Sequence, residues 1–123
     1  MSQDIIADAL SQIMNIKRTG KNSIILKKYS KLLINILDIA KEEGYLKYEI
    51  ESKTLKVEIL KLNEIKAVKP RYTVSVPEIN KYVRRLLPAK NFGFLIISTN
   101  KGLMKHYEAE EQNIGGCLIA YIF

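Results

Sequence analysis

Apolar residues recur at three-to-four spacing near the start of the chain. Ile5, Ile6, Ala9, Leu10, Ile13 and Met14 form one stripe, which predicts an amphipathic helix from Asp4 to about Lys17. Ser2 or Asp4 is available near its cap, and Gly20 ends or follows it. The short apolar run Ser23 to Leu26 reads as a strand. Ser30 then stands where an N-cap would, ahead of a second stripe of Leu33, Ile36, Leu37 and Ala40, and Gly44 suits the C′ position that closes that helix. Tyr45 to Ile50 and Leu55 to Leu60 read as two strands. Leu55, Val57 and Ile59 alternate cleanly, and the residues between the runs suit a hairpin turn. The pattern up to residue 62 is therefore α-β-α-β-β.

After a connector at Asn63 and Glu64 the pattern becomes mainly β. Ile65 to Val68 and Tyr72 to Val76 are expected to be two strands, interrupted by Pro70. Pro77 fits the first turn of a short helix running to about Leu86, and Pro88 stops any continuation. Gly93 to Ser98 predicts a buried strand, and Lys105 to Asn113 a brief helix. Cys117 to Phe123 predicts a final strand too uniformly apolar for an exposed edge. The expected fold is α+β in two small lobes, residues 1–62 and residues 63–123, the second mainly β with short helices. A chain of 123 residues suits one core, or two lobes sharing one, better than two independent domains. No apolar run approaches the roughly 18 to 20 residues needed to span a bilayer, and no signal-peptide pattern is present, so a soluble intracellular protein is expected.

The charge distribution changes the picture more than the total of +7 does. From Lys17 to Lys31 the chain carries Lys17, Arg18, Lys21, Lys27, Lys28 and Lys31 with no acidic residue. From Ile65 to Lys105 nine basic residues face Glu78 alone. A solvated surface usually mixes signs to avoid self-repulsion. Segments of one sign are suited to neutralising phosphates and releasing their counterions.

Candidate chemistry follows the strand that starts at Gly93. It runs into Ser98, Thr99, Asn100, Lys101 and Gly102, and each of these can meet a phosphate or a base edge. Hydroxyls and an amide supply hydrogen bonds, lysine supplies charge, and glycine allows close approach or positive φ. The pair Gly115-Gly116 follows a short charged stretch and reads as a tight turn. The loop lacks the G-x-x-x-x-G-K-[ST] spacing of a nucleotide-phosphate enzyme, and no general base accompanies it. The single His106 has no His or Cys at ligand spacing and is expected at the surface or at a helix end. The lone Cys117 excludes an internal disulfide and is expected as a buried strand residue. Glu108, Glu110 and Glu111 are expected to form a solvated helix face, and the tyrosines mostly to pack in the core or at its rim.

These residues resemble a known family, ribosomal protein eight of the small subunit, in its archaeal and eukaryotic branch. The family pattern of glycine, aliphatic pair, hydroxyl residue, threonine, glycine, aliphatic pair and small residue is met in register by Gly93, Ile96, Ile97, Ser98, Thr99, Gly102, Leu103, Met104 and Ala109. Lys69-Pro70-Arg71, Leu87-Pro88-Ala89-Lys90, Gly115-Gly116, Ser30-Lys31-Leu32, Glu43-Gly44-Tyr45 and the run from Asp4 extend the resemblance over nearly the whole chain. It implies a two-lobed structural component of the small ribosomal subunit in the cytoplasm, a primary binder of ribosomal RNA that supports assembly and translation. It implies no catalysis, no cofactor, no metal, no small-molecule substrate and no membrane, with neighbouring small-subunit ribosomal proteins as further partners. In the family the Ser-Thr-x-x-Gly loop and the glycine pair meet an irregular RNA helix of the central domain. Carried over, Ser98, Thr99, Asn100, Lys101, Gly102, Gly115 and Gly116 form that surface, with Ser30, Lys31 and Arg71 adding contacts. The chain departs from the family at Glu110, where a basic or neutral residue is usual, and at Cys117, where bacterial members have glutamate.

Overall fold

The first apolar stripe folds as helix α1 (Ile5–Arg18), burying Ile6, Ala9, Leu10, Ile13 and Met14. The structure is a computed structural model that describes residues 5–88 and 92–123; within these, the side chains of residues 69–72 are left out of the description. The candidate caps Ser2 and Asp4 lie outside the described residues. The chain divides into two compact units, one up to Ile65 and one from Lys66 onward.

In the first unit, strand β1 (Ser23–Leu26) leads to helix α2 (Lys31–Glu42). Ser30 caps α2 by accepting the Leu33 N–H at 3.2 Å. The helix ends in a Schellman arrangement, the Tyr45 N–H donating to the Ala40 carbonyl at 3.1 Å and the Gly44 N–H to that of Lys41 at 3.0 Å. Strands β2 (Leu46–Glu51) and β3 (Thr54–Ile59) are joined by Ser52 and Lys53. Both residues take positive φ, 44° and 70°, the two-residue turn whose twist matches that of the flanking strands. The antiparallel order is β1-β3-β2, so the alternating Leu55, Val57 and Ile59 occupy the central strand and are buried. Leu26, Leu33, Ile36, Leu37 and Leu46 complete this core. Each such side chain contributes about 1.5–3 kcal/mol by leaving water.

Strand β4 (Ile65–Val74) leads into the second unit, one continuous strand where sequence predicts two. Its place explains the difference. The sheet order is β4-β7-β5-β6, so β4 lies at an edge, where a proline that lacks an N–H need not break the ladder. Helix α3 (Val76–Leu86) starts at Ser75, whose backbone N–H and hydroxyl both donate to Glu78 Oε1 at 2.9 Å. These bonds, the backbone one first, hold the Glu78 carboxyl below its usual range. Strand β5 (Phe94–Thr99) is followed by β6 (Gly102–Lys105), helix α4 (His106–Glu111) and β7 (Gly116–Ile122). Strand β6 was not predicted. It has only four residues and owes its conformation to pairing with β5, Ile96 opposite Lys105 and Thr99 opposite Gly102.

Leu95, Ile97, Leu118, Ile79, Val83 and Ala109 share one core cluster. Phe94 and Ile96, alternating with Leu95 and Ile97, are buried as well, so β5 is covered on both faces, as its continuous apolar run predicts. β7 lies between β4 and β5, away from the edges, again as its sequence predicts. Its register shifts from Ile96–Ala120 to Ile97–Leu118, leaving Ile119 as the extra residue of a bulge.

His106 is helix-terminal, as expected, but not at the surface. It is 9% exposed, and its Nδ1 accepts the Leu95 N–H at 3.1 Å. The chain leaves β6 for α4 here, so a ring nitrogen takes the place of the next ladder carbonyl. Burial pushes its pKa down to about 4, which keeps the ring neutral and able to accept.

Candidate nucleic-acid interface

Four of the candidate residues sit on the β5–β6 hairpin beyond Ser98. Asn100 and Lys101 are exposed and connect Thr99 to Gly102, which face each other across the two strands. Neither Asn100 nor Lys101 takes positive φ; Gly102 does, at 109°, and absorbs the handedness the turn requires. Thr99 Oγ1 accepts the Lys101 N–H at 3.1 Å and donates to the Gly102 carbonyl at 2.9 Å. The Thr99 hydroxyl therefore clamps the turn from within. Ser98 is half-buried, and its hydroxyl has no hydrogen-bond partner among the described residues.

Ser98 also connects the hairpin to the glycine pair. Its cross-strand neighbours are Leu103 on β6 and Cys117 on β7. A Cβ on Gly116 would lie 2.4 Å from the Ser98 carbonyl oxygen, and one on Gly115 would lie 2.6 Å from that of Val74. No side chain fits at either position, so two glycines admit β7 between its neighbours. Ser98, Thr99, Asn100, Lys101 and Gly102 are thereby brought to the same end of one sheet as Gly115 and Gly116.

The other candidates are placed elsewhere. Ser30 and Lys31 open α2 in the first unit, where the Ser30 hydroxyl is engaged as the cap and Lys31 is exposed. The Arg71 side chain lies outside the described residues. Cys117 is half-buried rather than buried.

Two side chains near the hairpin behave differently from their place in the sequence. Lys105 belongs to the basic segment, yet it is 7% exposed, its Nζ 5.8 Å from the Phe94 ring centroid and 5.7 Å from that of Tyr107. It is thus a packed cation between rings, not a ready phosphate contact. Glu108, one of three carboxylates in an unusually acidic helix, accepts the Lys105 N–H at 3.2 Å and so stabilises the start of α4. Local periodicity carries no sign that Lys105 is buried, because that depends on where β5 lies; the Glu108 bond is local, between residues three apart at the start of α4. Among the described residues no group of three or more His, Cys, Asp or Glu side chains could hold a metal ion. Among the described residues no helix is long and apolar enough to cross a membrane.

The family described as Ribosomal protein S8 matches residues 4–123. The small ribosomal subunit protein uS8 of Nanoarchaeum equitans (strain Kin4-M) is 44% identical, with 100% of each chain covered. The protein of the same name from Methanococcoides burtonii (strain DSM 6242 / NBRC 107633 / OCM 468 / ACE-M) is 40% identical over 98% of this chain and 97% of its own. Both lobes, the hairpin and the glycine pair fall inside the matched region, and the chain belongs to the ribosomal protein S8 family.

Proposed function

We propose that this chain is a structural constituent of the small ribosomal subunit that binds small-subunit ribosomal RNA directly and meets neighbouring ribosomal proteins there. The observation that carries the reading is the convergence of the Ser98 to Gly102 hairpin and Gly115-Gly116 at one sheet end, where Asn100 and Lys101 are exposed and the Ser98 hydroxyl has no hydrogen-bond partner among the described residues. An A-form helix closes its major groove to side chains. A protein therefore gains specificity where bulges or base triples distort the helix and present base edges or 2′-hydroxyls. A short, internally clamped turn suits that task, because little conformational freedom remains to be lost on binding.

The clamp also divides the work. Thr99 holds the shape of the turn, Ser98 and Asn100 offer hydrogen bonds to an edge or a 2′-oxygen, and Lys101 neutralises phosphate. In the first unit the N-terminus of α2 adds its positive dipole end beside Lys31, a suitable seat for one backbone phosphate.

The test is a salt-titrated binding assay of the full chain with a fragment carrying a distorted helix from the central domain of small-subunit RNA. Specific binding should be tight, and Ser98→Ala should weaken it roughly tenfold without changing the salt slope. Lys101→Ala should lower that slope by about 0.7–0.9 for every RNA tried. Equal affinity for any perfect duplex would overturn the reading.

A further inference from the structure

The second unit carries a cleft remote from the hairpin. It lies between β4 and α3, measures about 210 Å³, and is lined by Lys66, Ala67, Tyr82, Arg85 and Tyr121 among others. Tyr121 stands five residues along β7 from Gly116, which puts the cleft about 16 Å from the glycine pair at the rise of an extended strand.

Its chemistry is aromatic and basic. The Arg85 guanidinium carbon is 5.7 Å from the Tyr82 ring centroid, and the Lys81 ammonium is 5.9 Å from it. Tyr121 continues the aromatic surface, its ring nearly parallel to that of Phe123 at 7°, with centroids 6.1 Å apart. Tyr82 and Tyr121 are half-buried on the core, so the rings are held in place, while Lys66, Lys81 and Arg85 are exposed. No acidic residue is among the described residues lining the cleft, and Glu78, the acidic residue of α3, is held by Ser75.

A rim that served only to keep the core soluble would mix carboxylates with these cations. Fixed rings flanked by cations of one sign are the composition of single-strand nucleic-acid grooves, in which bases stack on aromatics and basic groups follow the backbone. The volume admits one planar ring and its sugar, and falls below the roughly 300 Å³ at which drug-sized ligand pockets begin.

We propose that this cleft holds one unpaired RNA nucleotide, its base stacked on Tyr82 and its flanking phosphates on Lys66 and Arg85. This contact rests on the ribosomal RNA-binding reading and adds a second subsite to it. The hairpin meets a structured helix; the cleft takes a base that has left its stack.

The chain contains no tryptophan, so Tyr82→Trp places in the cleft a single tryptophan that can be excited at wavelengths sparing the tyrosines. A hexamer of uridylate should quench the tryptophan emission to saturation. Adding Lys66→Gln and Arg85→Gln should weaken the hexamer at least tenfold and lower its salt slope by about 1.4, the value for two phosphates of a single strand. Ser98→Ala should leave hexamer binding unchanged. Because Trp at a half-buried position can disturb packing, the unaltered chain is also photocrosslinked to a hexamer containing 4-thiouridine; the crosslink should map to the peptide carrying Tyr82 or Tyr121. No quenching together with no crosslink there, or equal quenching by a duplex or by polyglutamate, would overturn the proposal. If the hexamer fails while the distorted RNA helix still binds, the cleft is wrong and the hairpin reading stands. If the helix fails as well, both fall.

Discussion

Replacing His106 by Asn tests the neutral, buried ring that completes the β5 ladder. His106 is the only histidine in the chain, so the variant removes every imidazole while keeping an oxygen able to accept the Leu95 N–H. In the folded chain burial holds the ring at about 4, against an ordinary value of 6.5. As pH falls through 6.5 the unfolded chain takes up a proton that the folded chain refuses, so stability falls with pH. The loss levels off below about 4, where both states are protonated. The separation of the two values corresponds to about 3 kcal/mol. Urea unfolding of both proteins at intervals from pH 4 to 7.5 gives two stability curves. Every other ionisable side chain is present in both proteins, so its contribution largely cancels in the difference. That difference should change by about 3 kcal/mol between pH 6.5 and 4, the variant losing less. A flat difference would mean that the ring is solvated or charged in the folded chain, and the account of the β6–α4 junction would be wrong. At pH 7, His106→Ala should cost at least about 1–3 kcal/mol, because the Leu95 N–H is then left bare.

Two further perturbations bear on the candidate interface. Gly116→Ala forces a Cβ to within 2.4 Å of the Ser98 carbonyl oxygen, a backbone atom that cannot turn aside; thermal unfolding should show a loss of about 1–3 kcal/mol. Thr99→Val keeps the side-chain shape but removes both turn bonds. It should cost about 1–2 kcal/mol in denaturant unfolding and weaken specific RNA binding without altering the salt slope.

Helices α1 and α2 were legible because each turns one apolar stripe to the core, and the Ser30 cap and the Gly44 stop flank α2 at the spacing that helix ends demand. The hairpin of β2 and β3 was legible from clean alternation. Where readings differ, tertiary context decides. Pro70 breaks a strand where both sides of the ladder are paired, and the edge strand β4 has a neighbour on one side only. Four residues of β6 are too few to display a period. Lys105 and His106 sit in a charged stretch, and only the approach of β5 reveals that both are buried. The polar cluster after Ile97 was visible as chemistry, but its meeting with Gly115-Gly116 depends on β7 pairing with β5, which no local pattern encodes. The Thr99 hydroxyl bonds lie within three residues of one another, and they follow from the β5–β6 pairing that the short β6 does not display.

The order of strands in the second sheet has a consequence for synthesis. β7 is made after every other strand, yet it lies between β4 and β5, so this sheet cannot close while the chain is still short of it. The first unit has all three strands in hand by residue 59 and can settle earlier. Until β7 arrives, β4 and β5 each present an open edge, the kind of surface that invites wrong pairing. The same delay means that the hairpin and the glycine pair form one surface only when that sheet is complete, so a partly made chain presents no finished candidate interface.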